Sequence, residues 1–117
     1  MGIYMHEYSI VQALLDQCEE IANNNQASRV TKVICKIGVM SGIENHLLQV
    51  AFDTFKEKTL CENAEFIINS QKLKLLCQEC NFEFEIDDLT YKCIKCNSLN
   101  IKVIDGEDMY LMSLEME

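Results

Sequence analysis

The sequence predicts an α/β protein: two helices on a three-stranded sheet, with a cysteine-paired module inserted before the last strand. Three observations carry this. Two segments place apolar residues at helical spacing, and three others alternate apolar and polar residues as strands do. Between the second and third of those strands stand Cys77-x-x-Cys80 and Cys93-x-x-Cys96, separated by twelve residues. At 117 residues and 49% hydrophobic composition, the chain is one domain, or a small domain plus a metal-held module.

The first helix is read from Val11, Leu14, Leu15, Cys18, Ile21 and Ala22, an i, i+3, i+4, i+7 stripe with acids and amides between. Ser9 with Gln12 suggests a capping box at its start, up to a turn earlier at most, and Asn23-Asn24-Asn25 ends it. Arg29 to Ile37 is the first strand, with Val30 and Ile34 on one face and Val33, Cys35 and Ile37 on the other. Gly38 and Ser41-Gly42 break it. A second helix runs from Glu44 or Asn45 to Thr59 on a stripe of Leu48, Ala51, Phe52 and Phe55. Glu65 to Ile68 is the second strand, and the strand–helix–strand order allows a parallel crossover. Gln71 to Leu76 reads as a linker or strand extension. Met109 to Met116 is the closing strand, with Tyr110, Met112, Leu114 and Met116 on one face. It is expected to return to the first two strands, because alone it would be an unpaired apolar edge.

The two cysteine pairs are what a tetrahedral metal needs, since each pair turns two sulfurs to one side and the second pair closes the site. Two disulfides or unrelated thiols are the alternatives, and the spacing favours metal over both. Four-thiolate zinc is coordinatively saturated, so such a zinc ribbon is structural rather than catalytic. Iron bound by paired cysteines is the other metal, but its knuckles are usually rich in Gly and Pro, and this chain has no Pro. Phe82, Phe84 and Ile86 form a hairpin strand, Tyr91 with Ile101 or Val103 covers the metal, and Asp105-Gly106 makes a turn.

Net charge is −9, from 19 acids against 10 bases, which argues against nucleic acid as a partner. No stretch reads as a secretory signal or a membrane span. Seven cysteines without an export signal indicate a reducing compartment. Of the three left over, Cys18 and Cys35 fall on apolar faces and read as small core residues, and Cys61 is unassigned. No H-E-x-x-H or G-x-S-x-G is present, so hydrolytic catalysis finds no support. Taken alone, His6 beside Glu7 reads as a solvated surface pair, although imidazole is also a ligand for nickel, copper or zinc. His46 reads as a surface residue.

Met5-His6-Glu7-Tyr8-Ser9 resembles the M-H-E-x-S opening of the HypA family, nickel-incorporation proteins of [NiFe]-hydrogenase maturation. Ile37-Gly38 with Ser41-Gly42-Ile43-Glu44, Ala51-Phe52-Asp53-Thr54-Phe55, the two knuckles and Leu114-Glu115 follow in the family's order, so the likeness runs from Met5 to Met116. The resemblance implies a cytoplasmic nickel metallochaperone and not an enzyme. It implies a small mixed three-stranded sheet with two helices as a nickel domain, residues 1–70 and 106–117, and a zinc ribbon at 71–105. Nickel would be held by His6 and backbone nitrogens near Met5, by the Glu7 carboxylate, and at lower rank by Glu44. Zinc would sit on Cys77, Cys80, Cys93 and Cys96. Implied partners are the GTPase HypB, the large subunit of a [NiFe]-hydrogenase and, in ureolytic bacteria, urease accessory proteins. Neither nucleic acid nor membrane is among them, and the chain would be a monomer or weak dimer. Two features depart from the pattern. Met1 to Tyr4 precede the opening Met, so the terminal amine belongs to Met1, and Asn81 and Asn97 stand where some relatives carry His after a knuckle. Outside the resemblance, a zinc-ribbon adaptor that transfers no metal and an electron-transfer iron site are the competing readings.

Overall fold

The computed structural model describes the backbone of residues 2–117 and the side chains from Glu7 onward. Eight elements follow in order: α1 (Gly2–Asn24), β1 (Val30–Gly38), α2 (Asn45–Phe55), β2 (Glu65–Gln71), β3 (Leu73–Cys77), β4 (Glu83–Ile86), β5 (Ile101–Asp105) and β6 (Met109–Met116). The strands form two three-stranded sheets, ordered β2-β1-β6 and β4-β3-β5. Two compact units result, one of Met1–Lys36, Ile43–Asn69 and Tyr110–Glu117, the other of Ile37–Gly42 and Ser70–Met109. Among the described residues, no helix is long and apolar enough to cross a membrane.

In the first unit the apolar stripe of α1 is buried as its spacing requires: Val11, Leu14, Leu15, Cys18 and Ala22 are at most 3% exposed. The helix begins at Gly2, however, so Ser9 lies in its interior and caps nothing. The stripe that marks a helix is an inward-facing pattern, and it is silent about turns that lie ahead of it. At the other end Ala27 N donates to Ala22 O at 2.9 Å and Gln26 N to Asn23 O at 3.1 Å, with Gln26 at φ 58°. These are the two bonds of a Schellman closure, made here with glutamine in the left-handed position. Helix α2 stops at Phe55, short of the expected Thr59, and a run of turns leads to β2. Leu48 and Phe52 are its fully buried side chains, and Phe52 stacks on Phe66 of β2 with ring centroids 4.3 Å apart.

The β2-β1-β6 sheet is mixed. Val30 N donates to Leu60 O, just ahead of β2, and Val39 N to Gln71 O where β2 ends, so β1 and β2 run the same way. Glu117 N donates to Arg29 O at one end of β1 and Gly38 N to Asp108 O at the other, so β6 runs antiparallel. The closing strand therefore does join the first two. Its expected apolar face is only partly covered: Tyr110 is 46% and Met112 54% exposed, because β6 lies at the sheet edge.

In the second unit Gln71 to Leu76 is not a linker. Most of it is β3, the central strand, antiparallel to β4 through Leu75↔Phe84 and to β5 through Leu75↔Val103. Leu75, Cys77, Phe84 and Cys93 form the core, with Phe82, Ile86, Ile101 and Val103 against it. Tyr91 does not take part and is 42% exposed. Gly38 is required where it stands, since a Cβ there would meet the Gly106 carbonyl at 2.2 Å.

Candidate metal centres

The two knuckles repeat one another bond for bond. Asn81 N donates to Cys77 O at 2.8 Å and Asn97 N to Cys93 O at 2.9 Å. Cys77 N donates to Phe82 O and Cys93 N to Ser98 O, both at 2.9 Å. Asn81 and Asn97 hold φ of 63° and 64°, a conformation asparagine tolerates better than most side chains. Reading the sequence for ligands missed this backbone role; the signal available was an Asn directly after each C-x-x-C.

These turns bring four sulfurs together. Cys77 Sγ lies 3.5 Å from Cys96 Sγ, Cys80 Sγ lies 3.7 Å from Cys93 Sγ, and all four fall within 4.8 Å of one another. A tetrahedral ion with metal–sulfur bonds of about 2.3 Å sets its sulfurs about 3.8 Å apart, so the donor set fits. The backbone is also aimed at the sulfurs. Cys80 N donates to Cys77 Sγ at 3.5 Å, and Cys96 N and Lys95 N each donate to Cys93 Sγ at 3.4 Å. The Cys80 N–H foremost holds the Cys77 thiol down to about 6. At Cys96 the Ser98 N–H is the largest influence and lowers the value, but the three neighbouring cysteines and burial together outweigh it and push the thiol up to about 12. Four thiols this close cannot all carry negative charge without a cation to offset them.

The amino-terminal candidates divide. The side chains of Met5 and His6 lie outside the described residues, as does the terminal amine of Met1. Glu7 is described, and it is buried at 2% exposure on α1. Its Oε2 accepts from Glu44 N at 3.1 Å, while Oε1 is buried with no hydrogen-bond partner among the described residues. A buried carboxylate oxygen without a partner is costly and calls for a donor or a cation. Glu44 is brought to Glu7 through its backbone. Its own carboxylate caps α2, accepting from His46 N at 3.2 Å and Leu47 N at 2.7 Å. His46 is exposed, as a surface residue would be.

Two small units, one α/β and one all-β, with four cysteines converging in the second, are the architecture of a metal-binding protein. Residues 5–116 match the family described as hydrogenase/urease nickel incorporation, metallochaperone, HypA. The hydrogenase maturation factor HypA of Aquifex aeolicus is 52% identical over 113 residues, covering 97% of this chain and 98% of the relative. That of Shewanella oneidensis is 50% identical, covering 97% and 96%. The solution structure of the nickel metallochaperone HypA from Helicobacter pylori aligns with TM-score 0.67 at 39% identity, covering 94% and 96%. A second HypA solution structure aligns with TM-score 0.76 at 40% identity, covering 97% of each chain. The chain belongs to the HypA family of hydrogenase maturation factors, which are metallochaperones and not enzymes.

Proposed function

We propose that this protein binds Ni(II) near its amino end and delivers it for [NiFe]-hydrogenase maturation, while Cys77, Cys80, Cys93 and Cys96 hold a structural Zn(II). The observation that carries the nickel reading is the Oε1 of buried Glu7, which has no hydrogen-bond partner among the described residues and lies one residue after His6 in a chain of this family. Glu7 and the His6 imidazole are the principal ligands, with backbone nitrogen at Met5. Glu44 ranks below them, because its carboxylate already serves the α2 amides. An open nitrogen- and oxygen-rich site suits cargo, which must leave by ligand exchange. A closed four-thiolate site suits a resident ion. The nickel domain is residues 1–70 and 106–117 and the zinc ribbon residues 71–105. The recipients are the HypB GTPase and the hydrogenase large subunit, in the cytoplasm, with urease accessory proteins where the host makes urease.

The test is nickel and zinc quantitation with isothermal titration on the wild type, His6→Ala and Glu7→Gln. His6→Ala abolishes specific nickel binding and leaves one zinc per chain and the helical circular dichroism intact. Glu7→Gln keeps the shape of the side chain and weakens nickel binding by removing its charge. A second reading, a zinc-ribbon adaptor that transfers no metal, draws on Leu89, Ile94 and Leu99 of the ribbon, which are 61%, 69% and 78% exposed. Nickel titrations that coincide for wild type and His6→Ala would leave that reading in place of the first.

A further inference from the structure

The charge of the ribbon is divided along its sequence. Leu75 to Asp88 carries five acids and no base, whereas Leu89 to Ile104 carries Lys92, Lys95 and Lys102 and no acid. The halves differ again in how those charges are met. Every acid of the first half has a partner inside its own unit. Asp87 pairs with Lys72 at 2.9 Å and Glu83 with Lys74 at 3.4 Å. Glu85 accepts from Gln71 Nε2 at 3.1 Å, Glu79 from Asn100 Nδ2 at 3.2 Å and Asp88 from Thr90 N at 2.9 Å. The three lysines of the second half pair with no carboxylate among the described residues, and Lys95 Nζ lies 5.4 Å from the centroid of the Phe82 ring.

The same half exposes the ribbon's apolar side chains. Leu89, Ile94 and Leu99 are the three most exposed large hydrophobic residues among those described. The second knuckle fixes where two of them stand. Ile94 and Lys95 are the two residues between Cys93 and Cys96, at its tip. The bond from Cys93 N to Ser98 O at 2.9 Å closes the knuckle and draws together its two flanks, which carry Lys92 and Leu99. A zinc ion does not account for these features. Zinc on four thiolates leaves net negative charge, but the sulfurs are met by the amides of Cys80, Lys95 and Cys96, and no lysine ammonium bonds them among the described residues. Nor does an ion give any reason for bare leucine and isoleucine.

We propose that the segment from Leu89 to Lys102 is a docking surface for an acidic segment of a partner protein, with Ile94 and Leu99 as apolar anchors and Lys92, Lys95 and Lys102 as the charges that select it. Exposed apolar side chains rimmed by charge mark a protein contact. The lysines set the sign of the partner, because their ammonium groups are not engaged within the chain while the acids of the first half are. On a protein of net charge −9, one basic island gives an acidic segment one place and one orientation in which to land. A second copy of this chain would bring its own charge of −9 against the first, and long-range repulsion opposes that approach. Nucleic acid would use the lysines but leave Ile94 and Leu99 without apolar cover. The surface lies in the second unit and Glu7 in the first, so the proposal does not require that nickel be the cargo.

The experiment is an amide chemical-shift titration of the zinc-loaded full chain with a synthetic peptide of Glu, Leu and Phe, and with the same peptide carrying Lys for Glu. The acidic peptide is expected to shift the amides from Leu89 to Lys102 in a saturable way that weakens with added salt, and the basic peptide to leave them in place. Lys92→Glu combined with Lys95→Glu weakens the acidic peptide about tenfold, and Leu99→Ser weakens it without changing the salt dependence. Lys58→Glu, a charge change in the first unit, leaves the affinity within about twofold. Zinc content is measured on each variant. Shifts centred outside Leu89 to Lys102, or equal binding of the two peptides, would overturn the proposal. So would self-association in sedimentation that covers these residues without any peptide, or tighter binding of single-stranded RNA at the same lysines. The mapping is made on the wild type, so it decides the matter even if a variant loses its zinc.

Discussion

The cysteine ribbon and the Glu7 corner treat negative charge in opposite ways. In the ribbon four thiols converge from two loops, each sulfur supported by its own knuckle amides, and the core beneath them is small: Leu75, Phe84 and the cysteines themselves. At Glu7 a single carboxylate is buried on a helix that a full apolar core already holds, and one of its oxygens has no partner among the described residues. The first arrangement is expected to depend on an ion for its shape. The second sits in a core that is formed by side chains alone. On the proposed reading, in which one metal is kept and another surrendered, both kinds of site have a use, and the contrast says which side chains should fail first when either is disturbed.

Stripping the ribbon breaks the comparison most severely. Structural zinc in small modules contributes on the order of 10 kcal/mol. Chelation, or Cys93→Ala, is expected to lose zinc and unfold β3, β4 and β5, seen as collapse of amide exchange protection there, while the helical circular dichroism persists. Loss of the helical signal as well would show that the α/β core also depends on the ion. In the other direction, Phe52→Ala removes the ring that stacks on Phe66 and is expected to cost about 3–5 kcal/mol, measured by denaturant unfolding. Zinc content should not change. Glu44→Ala acts on a smaller scale. It removes the α2 cap at a cost of about 1 kcal/mol but spares the backbone N–H that serves Glu7. Nickel affinity should therefore fall much less than in His6→Ala, and an equal fall would make the Glu44 carboxylate a ligand of the same rank.

Near neutral pH the last effect is silent, because it is one of alkaline pH. Burial pushes the Cys35 thiol up to about 12 from its ordinary 9.0. A folded value above the unfolded one means that the stabilisation is complete below pH 9 and is lost as pH rises towards 12, on the order of 1 kcal/mol by pH 10. Denaturant midpoints should decline between pH 9 and 11 more steeply for the wild type than for Cys35→Ala. Parallel declines would place the alkaline loss elsewhere.

Much of this was legible in the residues. The stripe from Val11 to Ala22 and the pair Leu48 and Phe52 are buried as their spacing requires, because a helix can hide only one face. The cysteine cluster was legible for a stronger reason: two residues between thiols force a turn whatever surrounds it, so local chain geometry alone sets each pair of sulfurs to one side. The resemblance then supplied the family, and the closing strand's return to β1 followed from the cost of a bare edge. Less legible were the start of α1 at Gly2, where no inward-facing pattern exists to mark it, and β3, since Gln71 to Leu76 read as a linker or a strand extension and not as a central strand with β4 and β5 on its two edges.

By itself, then, the sequence determined what short-range geometry and periodic burial can determine: two helices, the three strands of the α/β sheet, and four sulfurs in two pairs. Tertiary structure alone decided which distant groups meet. It set Glu44 N against the Glu7 carboxylate and left one oxygen of that carboxylate without a partner among the described residues. It turned the Glu44 side chain to the α2 amides, and it set Leu60 N against the Glu19 carboxylate of α1. No periodicity encodes such contacts, because each joins residues far apart in the chain and exists only once the helices and the sheet have closed on a common core.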